Sequence, residues 1–147
     1  MINGSFVFGL DGDDPSVFRR TVDWAVNNGI TTSTFHIATP YPGTAFYAEM
    51  QKAGRLFSQD WDLFDTRHIT FAPAKMTSSE LQSGYDQAYR EFYTWSSIVK
   101  ASLFHGTAKH QLKHFFYTSG WKKFEPLWNM VIQMRRLGLM TPLLEAV

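Results

Sequence analysis

No cysteine occurs in the 147 residues. Disulfides, thiolate metal sites and cysteine nucleophiles are therefore excluded. There is also no run of about 18 apolar residues, the length a helix needs to cross a bilayer. Met1-Ile2-Asn3-Gly4 has no basic stretch leading into an apolar one, so it does not read as a secretory signal. A cytoplasmic chain is the expectation. Charge is sparse: 18% of residues are Asp, Glu, Lys or Arg, and the formal net charge is +1. What is abundant is apolar and aromatic, at 44% and 16% of residues. That supports a packed core and speaks against wholesale disorder.

The small net charge conceals a division. Residues 1–97 hold seven basic and eleven acidic side chains, a balance of −4; residues 98–147 hold seven basic ones against Glu125 and Glu145 alone, a balance of +5. The two ends of the chain are thus differently employed. No internal repeat and no low-complexity tract is present.

Gly4 to Leu10 reads as a strand. Its apolar run Phe6, Val7, Phe8 and Leu10 is that of a parallel strand covered on both faces. Asp14 and Pro15 suit the start of a helix, in which Phe18, Val22, Ala25 and Val26 recur at helical spacing. Gly29 can take the left-handed conformation that ends it. A second strand is predicted over Thr31 to Thr39, with Phe35 and Ile37 on one face and Thr34, His36 and Ala38 on the other. Strand, helix and strand make a βαβ unit. Thr44 caps a short helix from Ala45 to Ala53, and a short strand is predicted at His68 to Phe71. Thr77-Ser78-Ser79-Glu80 is a capping box. It opens a helix whose stripe Leu81, Tyr85, Ala88, Phe92, Trp95 and Val99 carries it to about Phe104. Two further helices are predicted, over Lys109–Tyr117 and Glu125–Leu137.

Two strand-to-helix turns are candidate ligand loops. In Gly4-Ser5-Phe6-Val7-Phe8-Gly9-Leu10-Asp11-Gly12-Asp13-Asp14, glycines stand where parallel strands end, the edge at which such sheets bind ligands. The dinucleotide spacing Gly-x-Gly-x-x-Gly is absent, and the same residues would also serve a plain tight turn. In Ile37-Ala38-Thr39-Pro40-Tyr41-Pro42-Gly43-Thr44, two prolines and a glycine set the loop shape in advance; this too reads as either a site or a turn.

The cluster Trp61-Asp62-Leu63-Phe64-Asp65-Thr66-Arg67-His68 suits acid–base work or a salt-bridged loop. His110 and His114 lie one helical turn apart, a metal-ligand spacing, but Lys109 and Lys113 flank them and favour a solvated basic face. Phe104, Phe115, Phe116, Tyr117, Trp121, Phe124 and Trp128 interleave with Lys109, Lys113, Lys122 and Lys123. That composition suits a helical appendage packed on the main domain, or contact with an anionic membrane surface. Nucleic acid is not expected as a partner.

Taken in order, the motifs Gly-x-Phe-Val-x-Gly-x-x-Gly-Asp-Asp, Thr-Pro-Tyr-Pro-Gly-Thr, Gly-Arg-Leu, Trp-Asp-Leu-Phe-Asp-Thr-Arg-His and Thr-Ser-Ser-Glu-Leu resemble the carboxy-terminal half of cobalamin-binding radical S-adenosylmethionine proteins, in the subgroup that includes hopanoid-modifying enzymes. The resemblance covers residues 2 to about 100. It implies an α/β fold, the later strands of a partial (β/α)6 TIM-like barrel over residues 1–76, and a helical extension over 77–147.

It also implies a C-terminal fragment of an enzyme for radical modification or methylation of a hydrophobic small molecule. Gly9, Asp11 and Gly12 would lie near the nucleoside of S-adenosylmethionine. Ile37 and Thr39 would line the adenine side, Pro40, Pro42, Gly43 and Thr44 would shape the loop, and His36 and Tyr41 would face substrate. A 4Fe-4S cluster and cobalamin would belong to the full-length parent only, because the family's Cys-x-x-x-Cys-x-x-Cys loop is missing here; the chain alone would be inactive. Its expected partners are the missing first half of the barrel, or a second copy joined through an open strand edge. The other reading is a standalone, non-catalytic binding or membrane-docking module.

Overall fold

The computed structural model describes the backbone of residues 1–133 and the side chains of residues 1–122. The elements, in order, are β1 (Asn3–Phe8), α1 (Val17–Asn27), β2 (Thr32–Ile37), α2 (Ala45–Lys52), a single 3-10 turn (Trp61–Leu63), α3 (Ser78–Phe92), α4 (Trp95–Leu103) and α5 (Ala108–Gln133). β1 and β2 pair in parallel, with Phe6 beside Phe35 and Phe8 beside Ile37. The predicted βαβ unit is thus present. The alternation in β2 is as expected: Ser33, Phe35 and Ile37 are buried, and Thr32, Thr34 and His36 are half-exposed.

The barrel is not. Among the described residues the sheet has two strands. The predicted strand at His68–Phe71 is reduced to one antiparallel bridge, Leu56 to Phe71. The fold class is corrected accordingly, from an arc of a (β/α)6 barrel to a small α/β unit of two parallel strands and five helices. β1 is also not covered on both faces. Phe8 is buried, but Val7 is 48% exposed. All the helical cover lies on the face that carries Phe6, Phe8, Phe35 and Ile37, where α1 and α3 supply Phe18, Val22, Ala25, Val26, Leu81, Tyr85, Ala88 and Phe92. Ser5, Val7, Thr34 and His36 form the opposite face.

The core is aromatic. Phe35 stacks on Phe8 at 5.5 Å and on Phe6 at 5.6 Å, and Tyr89 meets it edge-on at 5.0 Å. Burying a side chain such as Phe35 is worth about 1.5–3 kcal/mol, so this stack fixes the face on which α3 docks.

α3 also closes the free edge of β2. The Tyr93 hydroxyl receives the Ser33 N–H and donates to the Ser33 carbonyl, both at 3.1 Å. The Tyr89 hydroxyl does the same for Phe35, at 3.0 and 3.1 Å. One turn apart on the helix, the two phenols stand where a third strand would supply its ladder. Farther along the same edge, the Ile37 N–H donates to the Thr66 carbonyl at 2.7 Å.

The helix starts follow the sequence closely. Thr44 accepts from Tyr47 N–H, and the Thr77–Glu80 capping box is complete. α1 begins later than Pro15, at Val17, and Asp14 still serves its first turn by accepting from the Ser16 N–H at 2.8 Å. The long helix expected to reach Phe104 breaks at Tyr93–Thr94. Thr94 there caps a new helix by accepting from Ser97 N–H. The break resets the helical phase, so Trp95 and Val99 leave the buried stripe and are 54% and 46% exposed. α5 joins the two predicted final helices into one; the rest of the second, from 134 to Leu137, lies outside the described residues.

Candidate functional site

The carboxyl ends of β1 and β2 lead into the two loops singled out above, and Ala38 N–H bonded to the Phe8 carbonyl at 2.8 Å holds them side by side. On the first loop, Asp13 folds the turn: its Oδ2 accepts the N–H groups of Gly9 and Leu10, each at 3.0 Å. Gly9 is at φ +93°, and a Cβ there would stand 2.9 Å from Leu81 Cδ2. Glycine is therefore required at this position by backbone conformation and by packing against α3. Gly12 is exposed and has nothing within 4 Å of where its Cβ would be.

Asp11 is engaged within the protein. Arg55 forks onto its carboxylate at 2.9 and 2.7 Å, and the same guanidinium donates through Nε to the Ala72 carbonyl at 2.7 Å. The Arg55 bond holds the Asp11 carboxyl below the usual carboxylate range. Because the folded-state value is depressed, the pair stabilises the fold above the unfolded carboxylate pKa, and this contribution is lost as pH falls through the folded value. The Asp11 and Arg55 side chains are 48% and 21% exposed, so solvent screening limits the pair to under about 1 kcal/mol. Asp11→Asn is expected to lose that much in urea unfolding at neutral pH, and its difference from the parent chain to shrink as pH falls below the ordinary carboxylate range and through the lowered folded-state pKa.

The second loop contains a turn whose sequence dictates its type. Thr44 N–H donates to the Tyr41 carbonyl at 3.1 Å, Pro42 occupies the second position, and Gly43 the third at φ +82°. This is a type II turn, which needs a positive φ where Gly43 stands. Thr44 also donates its hydroxyl to the Tyr41 carbonyl at 2.6 Å. Pro40 is buried, Tyr41 is 44% exposed, and the space beside Gly43 is open. Thr39 turns its hydroxyl back onto the Ile37 carbonyl at 3.1 Å.

The structure adds a third loop that no local sequence signal placed here. Thr66 shares a hydrogen bond with His36 Nδ1 at 3.1 Å, and its own carbonyl receives Ile37 N–H. It does so at φ +66°, where a β-branched residue is strained. Asp65 secures the conformation by accepting from the N–H groups of Arg67 and His68 at 2.9 and 3.0 Å and by pairing with His68 Nδ1 at 3.0 Å. Burial would raise the Asp65 pKa, but these bonds outweigh it and hold the pKa below the ordinary value. Burial, with the charge of Arg67 beside it, lowers the pKa of His36. Its imidazole is therefore neutral near pH 7, and Nε2 is the ring atom left for a ligand.

Sequence reasoning had Thr66 within a candidate cluster but missed its place beside His36, and it missed Arg55 and the role of Asp13. Only Asp13 carries a signal, an aspartate three residues after Leu10 and four after Gly9, poised to fold back on their N–H groups. His110 and His114 do not converge. His110 bonds Thr107, whereas His114 is buried, bonds Ser102 at 2.9 Å and lies against His105. The expected solvated basic face holds for His110 and fails for His114.

The strand ends form an open shelf and not a cleft. Two shallow recesses among the described residues lie elsewhere. One of about 240 Å³ is lined by Phe6, Val17, Arg20, Thr21 and Trp24, and one of about 150 Å³ lies between Pro15, Phe18 and α3. No helix among the described residues is long and apolar enough to cross a membrane.

No family model matches the chain. It is 38% identical over 99 residues to a bacteriochlorophyllide d C-12(1)-methyltransferase of Chlorobaculum tepidum and 29% identical over 103 residues to the C-8(2)-methyltransferase of the same organism. It is also 27% identical over 101 residues to an uncharacterized methyltransferase of Pyrococcus horikoshii. All three are methyltransferases by name. The matches take in 67%, 70% and 69% of this chain but 21%, 23% and 22% of the relatives, so the chain spans about a fifth of the length of the curated proteins it matches.

These similarities correct the resemblance drawn from the motifs. The relatives are named for methyl transfer, and neither radical chemistry, an iron–sulfur cluster nor cobalamin enters any of the three names. The assignment to cobalamin-type radical S-adenosylmethionine proteins is set aside, together with the 4Fe-4S cluster and the cobalamin it implied for a parent.

Proposed function

We propose that this chain is part of a methyltransferase, and that its strand-end shelf contributes to the binding of S-adenosylmethionine and of a large hydrophobic acceptor. What carries the reading is the 38% identity over 99 residues to an enzyme named for methylating bacteriochlorophyllide d. S-adenosylmethionine supplies the methyl group when bound.

The residues present fit the nucleoside in shape. With open space beside both Gly12 and Gly43, a flat ring can lie against the two turns. The Ile37 and Ala38 N–H groups are already bonded to Thr66 and Phe8, so recognition of the purine edge in that stretch falls to Thr39. Pro40, Pro42 and Thr44 hold the loop in shape. Asp11 does not fit a role on the ribose hydroxyls, because Arg55 occupies both its carboxylate oxygens; we assign it to fastening the loop after α2 onto the β1 turn. Tyr41 is exposed in the loop that follows β2, and His36 lies on the sheet face that no helix covers. There His36 can orient an acceptor through Nε2, or take a proton from it.

Titration of the isotopically labelled chain with S-adenosylmethionine and S-adenosylhomocysteine tests the assignment. Amide shifts are expected at Gly12, Thr39, Tyr41 and Gly43 and not along α4 or α5. Saturating ligand that leaves those four amides in place would sink it.

A further inference from the structure

Helices α4 and α5 meet where Ser102 bonds His114 Nδ1 at 2.9 Å, while Thr118 of α5 reaches the Thr31 carbonyl at 3.1 Å. The flank beside that seam is apolar, and none of the described residues packs over it. At four-residue steps α4 presents Trp95, Val99 and Leu103, 54%, 46% and 65% exposed; α5 presents Leu112 and Phe116, 58% and 68% exposed. Ring contacts join the two rows: Trp95 meets Phe115 at 6.2 Å, and Phe115 meets Phe116 at 5.8 Å. Side chains of this size, contiguous and wet, mark an interaction surface.

The charge around the flank identifies what it meets. Between Glu91 and Glu125 there is no acidic residue, whereas Lys100, Lys109, Lys113 and Lys122 all fall in that interval. Lys109 and Lys113 alternate with Leu112 and Phe116 on the exposed side of α5. Lys122 is held at the margin, with its ammonium 5.0 Å from the centre of the Trp95 ring. A second copy of the chain would bring the same lysines against these. An RNA strand would find the aliphatic Val99, Leu103 and Leu112 where it needs stacking partners. Apolar and aromatic side chains among unopposed lysines match an anionic bilayer surface, where rings and aliphatic groups enter the headgroup boundary and lysines meet phosphates. We infer that the α4–α5 flank seats this protein on an anionic lipid surface. This goes beyond the proposed methyl transfer and rests on a separate part of the molecule.

The test is sedimentation of the full chain with vesicles of phosphatidylcholine alone and of phosphatidylcholine with phosphatidylglycerol in equal parts. Binding is expected to the mixed vesicles and not to the neutral ones, with a blue shift of tryptophan emission and release by added salt. Lys109→Gln with Lys113→Gln is expected to weaken it about 25-fold, taking about fivefold per lysine charge removed; Leu103→Glu with Phe116→Glu should abolish it. All four positions are exposed, and circular dichroism confirms that the variants stay folded. Failure of the parent chain to bind mixed vesicles at low salt overturns the inference. So does equal binding to neutral vesicles, or a self-association that Phe116→Glu abolishes in a chain that binds neither vesicle.

Discussion

Replacing Tyr89 and Tyr93 together with phenylalanine is expected to cost about 2–6 kcal/mol of stability, since each hydroxyl removed strands a buried donor and acceptor at about 1–3 kcal/mol. Each phenol serves both the N–H and the carbonyl of one strand residue, Ser33 or Phe35. Ser33 and Phe35 are each 1% exposed, so water cannot take over. Phenylalanine keeps the ring contacts with Phe35 and Phe92, which isolates the loss to hydrogen bonding. Urea unfolding gives the measurement: the midpoint should fall in each single variant and farther in the double one. An unchanged midpoint would mean that the edge of β2 is satisfied in some other way.

Gly84→Ala should destabilise the protein by about 1–3 kcal/mol through overpacking, although alanine in a helix interior is ordinarily favoured over glycine by about 1 kcal/mol. The sign is set by one neighbour. A Cβ on Gly84 would stand 2.2 Å from Phe18 Cε2 and 2.3 Å from Cδ2. The Phe18 ring is 6% exposed and edge-on to Phe8 at 4.8 Å, so making room for the methyl means pulling it off Phe8 towards the shallow recess beside Pro15. The close approach of α3 to α1 therefore depends on the missing side chain. Adding Phe18→Leu to Gly84→Ala should recover part of the loss, a non-additivity expected of groups in direct contact. Urea midpoints of the two single variants and the combined one check this, and a Gly84→Ala chain more stable than its parent would contradict it.

Local rules read the local features well. The period of two in Phe35 and Ile37 gave the buried face of β2, and Thr44 and the Thr77–Glu80 pair gave the starts of α2 and α3. Errors came where a tertiary choice competes with a local pattern. Phe6, Val7, Phe8 and Leu10 look like a strand buried on both faces, yet the cover is all on one side. The stripe from Leu81 to Val99 runs across Thr94 unbroken by composition, and only the capping bond to Ser97 marks the end of one helix and the start of the next. Tyr89 and Tyr93 lie off that stripe, and nothing near them in the chain suggests that their hydroxyls replace a strand. In the candidate site, Gly43 was legible because its turn type demands it. Thr66 was not, because its position depends on β2 some thirty residues earlier. The barrel was inferred from a resemblance of motifs, and motifs of turns do not count strands.

The tyrosine-sealed edge has a consequence for the nascent chain. Its bonds join residues 54 and 60 positions apart, whereas β1 and β2 can pair as soon as residue 37 is free. At about 5–20 residues per second, the ribosome leaves that edge open for several seconds before both phenols emerge. During that interval β2 offers an unpaired ladder to any other strand nearby. A pause before the Tyr93 codon would lengthen the exposure and faster synthesis would shorten it, so yield of soluble product should depend on the speed of synthesis as well as on the stability of the finished fold.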